Sequence, residues 1–167
     1  MNPKVELLAE QLAFCREQTV KTASGVPESS RLVQLRPGKG HPLWLLGHLA
    51  NTGNVLVIQW TLNAEPITTK EFRKKFAPDF GGGDPVTANA TDYPTWDEVI
   101  ATYGKVFDAV VEGVKKLTDA DLPKPLPGRI PDPLRQHFSS IGTTLNIMVL
   151  HDSYHRGQIG LLAALDR

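Results

Sequence analysis

The sequence predicts an all-α protein, a four-helix bundle whose helices are joined by long crossover connections. Three observations carry that prediction. Four segments repeat apolar residues every three or four positions, the period of a helix with one buried face. The stretches between them hold most of the Pro and Gly, the residues that break elements into turns and loops. No stretch except "RLVQLRP", residues 31–37, alternates in the manner of a strand.

The first helix is expected from about Pro3 to Ala23, with Val5, Leu8, Leu12, Cys15 and Thr19 on one face and Glu6, Glu10, Arg16, Glu17 and Lys21 mostly elsewhere. A turn-rich stretch, "SGVPESSRLVQLRPGKG", follows. The second helix begins near Pro42, since proline is favoured at a first helical position. Its sequence, "HPLWLLGHLANTGNVLVIQWTLN", is apolar on more than one side and should be the most buried of the four. Leu45, His48, Thr52, Val55 and Gln59 share one stripe of it.

Residues 64–94 form a long excursion in which "EFRKKF" is expected to make a short helix before three glycines end it. Loops of this length are often functional, and this one is positioned in the chain to cover a site. Thr95 and Glu98 have the spacing of a capping box, and Trp96, Val99, Tyr103, Val106, Val110, Val114 and Leu117 give the third helix its stripe. The five prolines of "TDADLPKPLPGRIPDPLRQ" predict an extended crossover. The fourth helix runs from Ser139 or Ser140 to Leu165, with Thr144, Met148, His151, His155, Ile159 and Leu162 in line. A length of 167 residues is that of one domain, here 1–167 with 64–94 as a loop insertion.

Composition removes several classes of function. Lys plus Arg equal Asp plus Glu at 18 each, so no broad cationic field exists to hold nucleic acid or an anionic membrane. Cys15 is the only cysteine, which excludes an intramolecular disulfide and a thiolate-rich metal cage. The N-terminal residues lack the basic and apolar regions of a signal peptide, and no apolar run reaches the roughly 20 residues that cross a bilayer. A cytoplasmic protein acting on a small molecule is the expectation.

The histidines carry the chemistry. His151 and His155 stand four apart, one above the other on an apolar stripe, where an unpaired ring costs about 1–3 kcal/mol. His48 has the same character on the second helix, among Leu45, Leu46 and Leu49. Three imidazoles facing one interior from two helices are more simply explained as a metal triad than as three separately satisfied polar groups. Neutral nitrogen donors suit Zn, Ni, Fe or Cu, and three of them leave coordination positions open for water or substrate. Asp152 is rotated about 100° from His151 and is assigned a supporting or surface role. His41 lies on roughly the face of His48 and is placed at a pocket mouth, while His137 is read as a surface or capping residue.

"WLLGHLANT" (44–52), "HDSYHRGQI" (151–159) and the "LTDADL" that ends the third helical segment resemble the DinB family. The resemblance covers nearly the whole chain outside 64–94. It implies a four-helix bundle of up-down-down-up topology, with His48, His151 and His155 as ligands of a divalent metal. It also casts Arg156 as a surface ion-pair or interface residue, Gly157 as a point of close helix approach and Gln158 as a hydrogen-bond partner near the ligands. Members of that family include thiol-dependent transferases and isomerases and metal-dependent hydrolases.

A metal-dependent transferase acting with a small thiol is therefore the leading expectation, with Zn or Ni, or else Fe, as the cofactor. Hydrolysis by metal-bound water ranks second, because no Glu neighbours the His pair as in H-E-x-x-H. A stress-related metal-binding or small-molecule-binding protein without turnover is the non-enzymatic alternative. A homodimer is expected, with no contact residue named.

Overall fold

The computed structural model describes residues 2–165, so the predicted domain ends at 1 and 166–167 lie outside the described residues. It is all-helical, with five α-helices and no strand among the described residues. α1 spans Pro3–Ser24, α2 Pro42–Thr52, α3 Lys70–Phe76, α4 Trp96–Val114 and α5 Ile141–Ala164. α1 packs against α4 and α5, and α2 packs against the same two helices from the other side.

The predicted stripes of the first and third helices are the buried ones, whereas Thr52, Val55 and Gln59 on the second and His151 and His155 on the fourth are half-buried. Val5, Leu8, Leu12, Cys15 and Thr19 of α1 are buried, as are Trp96 through Val114 on the α4 stripe. Leu117 falls beyond the end of α4 but still packs against the core. α2 is the most buried element, every residue from Pro42 to Asn51 being buried. The capping box forms as read: Thr95 Oγ1 accepts from the Glu98 N–H, and the Glu98 carboxylate accepts from the Thr95 N–H at 2.8 Å. Ser140 caps α5 by accepting from the Thr143 N–H, and Thr69 caps α3 by accepting from the Phe72 N–H.

Two expectations about the elements change. The second helix does not stay α-helical to its end, since Gly53–Thr61 wind on with the wider π spacing, closed by the Leu62 N–H donating to the Val57 carbonyl. Within this stretch Asn54 turns its Oδ1 toward the Ile67 N–H at 2.7 Å, which ties the start of the excursion to the bundle. "RLVQLRP" forms turns and not a strand, because no second strand lies beside it to complete a ladder. The proline-rich crossover is mostly turns and irregular backbone, with one helical turn at Asp132–Leu134. It is tied to the π-helical end by the Gly128 N–H donating to the Trp60 carbonyl at 2.9 Å, an approach so close that a Cβ at Gly128 would overlap the Gln59 carbonyl.

His41 is structural and not at a pocket mouth. It is fully buried as the N-cap of α2: Nδ1 accepts from the Trp44 N–H at 3.1 Å, and Nε2 donates to the Thr87 carbonyl at 2.9 Å. Both nitrogens are spent, so none remains for a ligand. One accepting and one donating nitrogen is the neutral ring, and burial holds the His41 pKa below 6.5.

Asp152 likewise lies in the core, at 0% exposure, and not at the surface. Its carboxylate accepts from Thr19 Oγ1 at 2.8 Å and from the Tyr103 hydroxyl at 2.7 Å, joining α5 to α1 and α4. Burial raises its pKa, against the lowering effect of those two donors. The single thiol, Cys15, belongs to the same patch: burial and the Asp152 charge push it up to about 11.

Two predictions follow from these buried groups. Tyr103→Phe, which leaves a buried carboxylate short of one donor, is expected to cost about 1–3 kcal/mol in urea unfolding; an unchanged midpoint would sink the assigned bond. His41 takes a proton near pH 6.5 only in the unfolded chain, so its contribution is whole above that pH and lost as pH falls below it. The stability advantage of the native chain over His41→Asn should therefore shrink as urea titrations move from neutral into acid. An advantage that grew in acid would contradict the neutral ring.

Candidate metal centre

α2 and α5 cross so that His48, from the most buried helix, meets His151 and His155, stacked four apart on α5. One ligand nitrogen from each of the three lies within 4.8 Å of the other two. Nε2 of His151 is 3.3 Å from Nε2 of His48 and 3.1 Å from Nε2 of His155. His48 is buried and the other two are half-buried, so the cluster sits at the edge of the core and opens outward.

The outer nitrogens fix the tautomers. His48 Nδ1 is 3.0 Å from the Phe76 carbonyl, and His155 Nδ1 is 2.6 Å from Gln158 Oε1. Carbonyl oxygens only accept, so both Nδ1 atoms carry the proton and both Nε2 atoms present a lone pair inward. His151 Nδ1 is buried without a hydrogen-bond partner among the described residues. His151 Nε2 can donate to one neighbour and never to both, so at least one close pair meets lone pair to lone pair. A cation between the three relieves that repulsion. The separations of 3.1 and 3.3 Å are those of two nitrogens that share an ion at about 2.0–2.1 Å. A divalent metal fits this donor set.

Electrostatics keep the rings ready to bind. Burial, with Coulombic repulsion from His155 and His48, pushes His151 down to about 3. Burial also takes His48 down to about 4, against the Phe76 carbonyl, and lowers His155 against the Gln158 hydrogen bond. At neutral pH all three rings are uncharged, as metal ligation requires.

The sequence profile of the DinB superfamily matches residues 11–159, a span that holds all three histidines. The chain belongs to the DinB superfamily. No curated protein shows significant similarity to it.

Three further groups support this cluster of the DinB chain. Trp44, four residues before His48, stacks on its ring at 4.8 Å and 7° and donates its indole N–H to the Lys75 carbonyl at 3.1 Å. The i,i+4 spacing of Trp44 and His48 was a legible sign of that stack. The Phe76 carbonyl had no sequence signal, because a backbone acceptor depends only on where the chain goes. Tyr154 sets its ring edge-on to His155 at 5.1 Å.

The remaining motif residues divide. Gln158 does hold a ligand ring, as the resemblance implies. Arg156 is half-buried and makes no ion pair among the described residues; its Nη1 has no hydrogen-bond partner there either. Gly157 is not a close-approach point within the chain, since nothing lies within 4 Å of where its Cβ would stand. His137 is exposed beside Gln136 and takes no part. The excursion delivers the Phe76 carbonyl behind His48 and the Lys75 carbonyl to the Trp44 indole. A cavity of about 410 Å³ lies between α3, residues 91–94 and α4, lined by Phe72, Tyr93 and Lys105 among others and by none of the three histidines.

Gly47 links this support to a measurement. A methyl group there would overlap the Phe76 ring. Gly47→Ala is expected to cost about 1–3 kcal/mol of stability through overpacking. It should also weaken metal binding about tenfold or more, read by chelator competition, because the carbonyl that orients His48 moves with its residue. Lost stability with unaltered metal affinity would detach Phe76 from the centre.

Proposed function

We propose that His48, His151 and His155 hold a divalent transition metal, Zn or Ni or else Fe, and that the protein is a thiol-dependent transferase acting on a small molecule. The observation that carries the reading is the convergence of three Nε2 atoms whose rings are neutral and, for two of them, oriented from behind by an oxygen acceptor. Such an ion, when bound, lowers the pKa of a coordinated thiol so that it serves as a nucleophile near neutral pH. The chain's own part is positional. Phe76 and Gln158 keep the Nδ1 protons outside, and Trp44 covers one face of His48. The half-buried His151 and His155 leave the outward side free for a substrate.

Hydrolysis is the weaker reading. A general base beside the metal is wanted there, and the nearest carboxylate in sequence, Asp152, points into the core toward Thr19 and Tyr103. Non-catalytic binding is separated from transfer by turnover alone.

The reading extends to architecture: a single DinB-type domain with 64–94 inserted, in up-down-down-up order. Cys15 with Val149 and Thr19 with Asp152 support parallel α1 and α5. Val5 with Asp119 and Arg16 with Asp108 support antiparallel α1 and α4. His48 with His151, and Trp60 with Phe138, support antiparallel α2 and α5. No described helix is long and apolar enough to cross a membrane, and a free buried thiol accords with a cytoplasmic setting.

Elemental analysis of the purified protein should find one transition metal per chain, lost in His48→Ala. Metal-loaded protein should then accelerate conjugation of a cysteinyl thiol to a chloronitroarene. Unchanged metal content in His48→Ala overturns the ligand set; a metal that stays while no thiol in a cofactor panel reacts overturns the transferase.

A further inference from the structure

The outer face of α5 differs from an ordinary solvent face. Of the six exposed residues of α4, Asp97, Glu98, Lys105, Asp108 and Glu112 are charged and only Ala101 is not. α5 exposes Thr143, Asn146, Ser153 and a run of apolar and small residues, with no Asp, Glu, Lys or Arg exposed from 141 to 165. Leu150, Tyr154, Leu161 and Leu165 are 55–70% exposed along one line of the helix, a contiguous apolar stripe and not scattered single residues.

The spacing is self-complementary. Leu150 and Leu165 lie seven and eight residues either side of Gly157, and Tyr154 and Leu161 lie three and four either side. An antiparallel copy of α5 laid across Gly157 therefore brings Leu150 to Leu165 and Tyr154 to Leu161, each contact made twice, as a two-fold interface requires. Gly157 has open space at its Cβ position, which lets two helix backbones approach there. An uncharged face meets its own copy without like-charge repulsion. On α1, which packs against α5, Leu7 and Phe14 lie seven apart and are exposed in the same way. Six such side chains at roughly 100 Å² each offer on the order of 600 Å², near the about 800 Å² per partner of a standard interface.

We infer that the α5 outer face, centred on Gly157, is the docking surface for a second copy of this chain. The inference is independent of the proposed chemistry. It also gives Gly157 the close helix approach that no helix of its own chain supplies.

Sedimentation velocity of the full, metal-loaded chain is expected to give twice the 18.3 kDa chain mass. Gly157→Lys should shift the equilibrium to monomer, weakening association by about tenfold or more. Because the site is open and Lys is the better helix former, this variant keeps or raises thermal stability and helical circular dichroism. Leu150→Glu with Leu161→Glu should act the same way, and Asp97→Lys on α4 should leave the dimer intact. A wild-type chain that stays at 18.3 kDa, including one that instead floats with lipid vesicles, overturns the inference. So does a dimer that survives Gly157→Lys or that Asp97→Lys breaks.

Discussion

The hydrogen bond from His48 Nδ1 to the Phe76 carbonyl ties the long excursion to the centre of the bundle. It sets the protonation of the one buried histidine of the cluster and so decides which way that ring's lone pair points. It also requires that residues 70–76 dock as a helix, because only the end of α3 places that carbonyl behind the ring. The Trp44 indole meets the Lys75 carbonyl one residue earlier, so two consecutive backbone acceptors clamp two side chains one turn apart on α2. A connection that reads as a loop between helices is thereby part of the cluster's foundation.

α5 shows how one helix serves two environments at adjacent residues. His151 turns toward α2 and His48, whereas Asp152, about 100° further round, turns toward α1 and α4. The polar groups are thus divided: the neutral imidazoles stay on one side and the carboxylate on the other. Were Asp152 to share the cluster, it would supply an anionic oxygen ligand and favour different metals. Tyr103 and Thr19 hold it away.

Sequence pattern made the helices and the three histidines legible because burial imposes a period, and His48, His151 and His155 fall on buried lines. The Thr95 and Glu98 capping box was legible because its bonds are local. What escaped was non-local. The wide winding after Thr52 depends on packing against α4 and on Asn54 reaching the Ile67 amide, neither visible from apolar spacing. His41 resembled a site residue since its partner, Thr87, lies 46 residues away on a loop. Asp152 resembled a surface residue because a lone acid on an apolar helix has no sequence mark of the tyrosine that satisfies it.

The thiol at Cys15 has a consequence of its own. In a protein proposed to set small thiols against electrophiles, an ionised cysteine of the protein would be the first nucleophile consumed. Burial against the Asp152 carboxylate keeps Cys15 protonated far above neutral pH, and its sulfur faces the Val149 carbonyl 3.8 Å away. The same acid that braces three helices thereby renders the chain's only sulfhydryl inert, so the proposed chemistry would leave the protein's own thiol untouched.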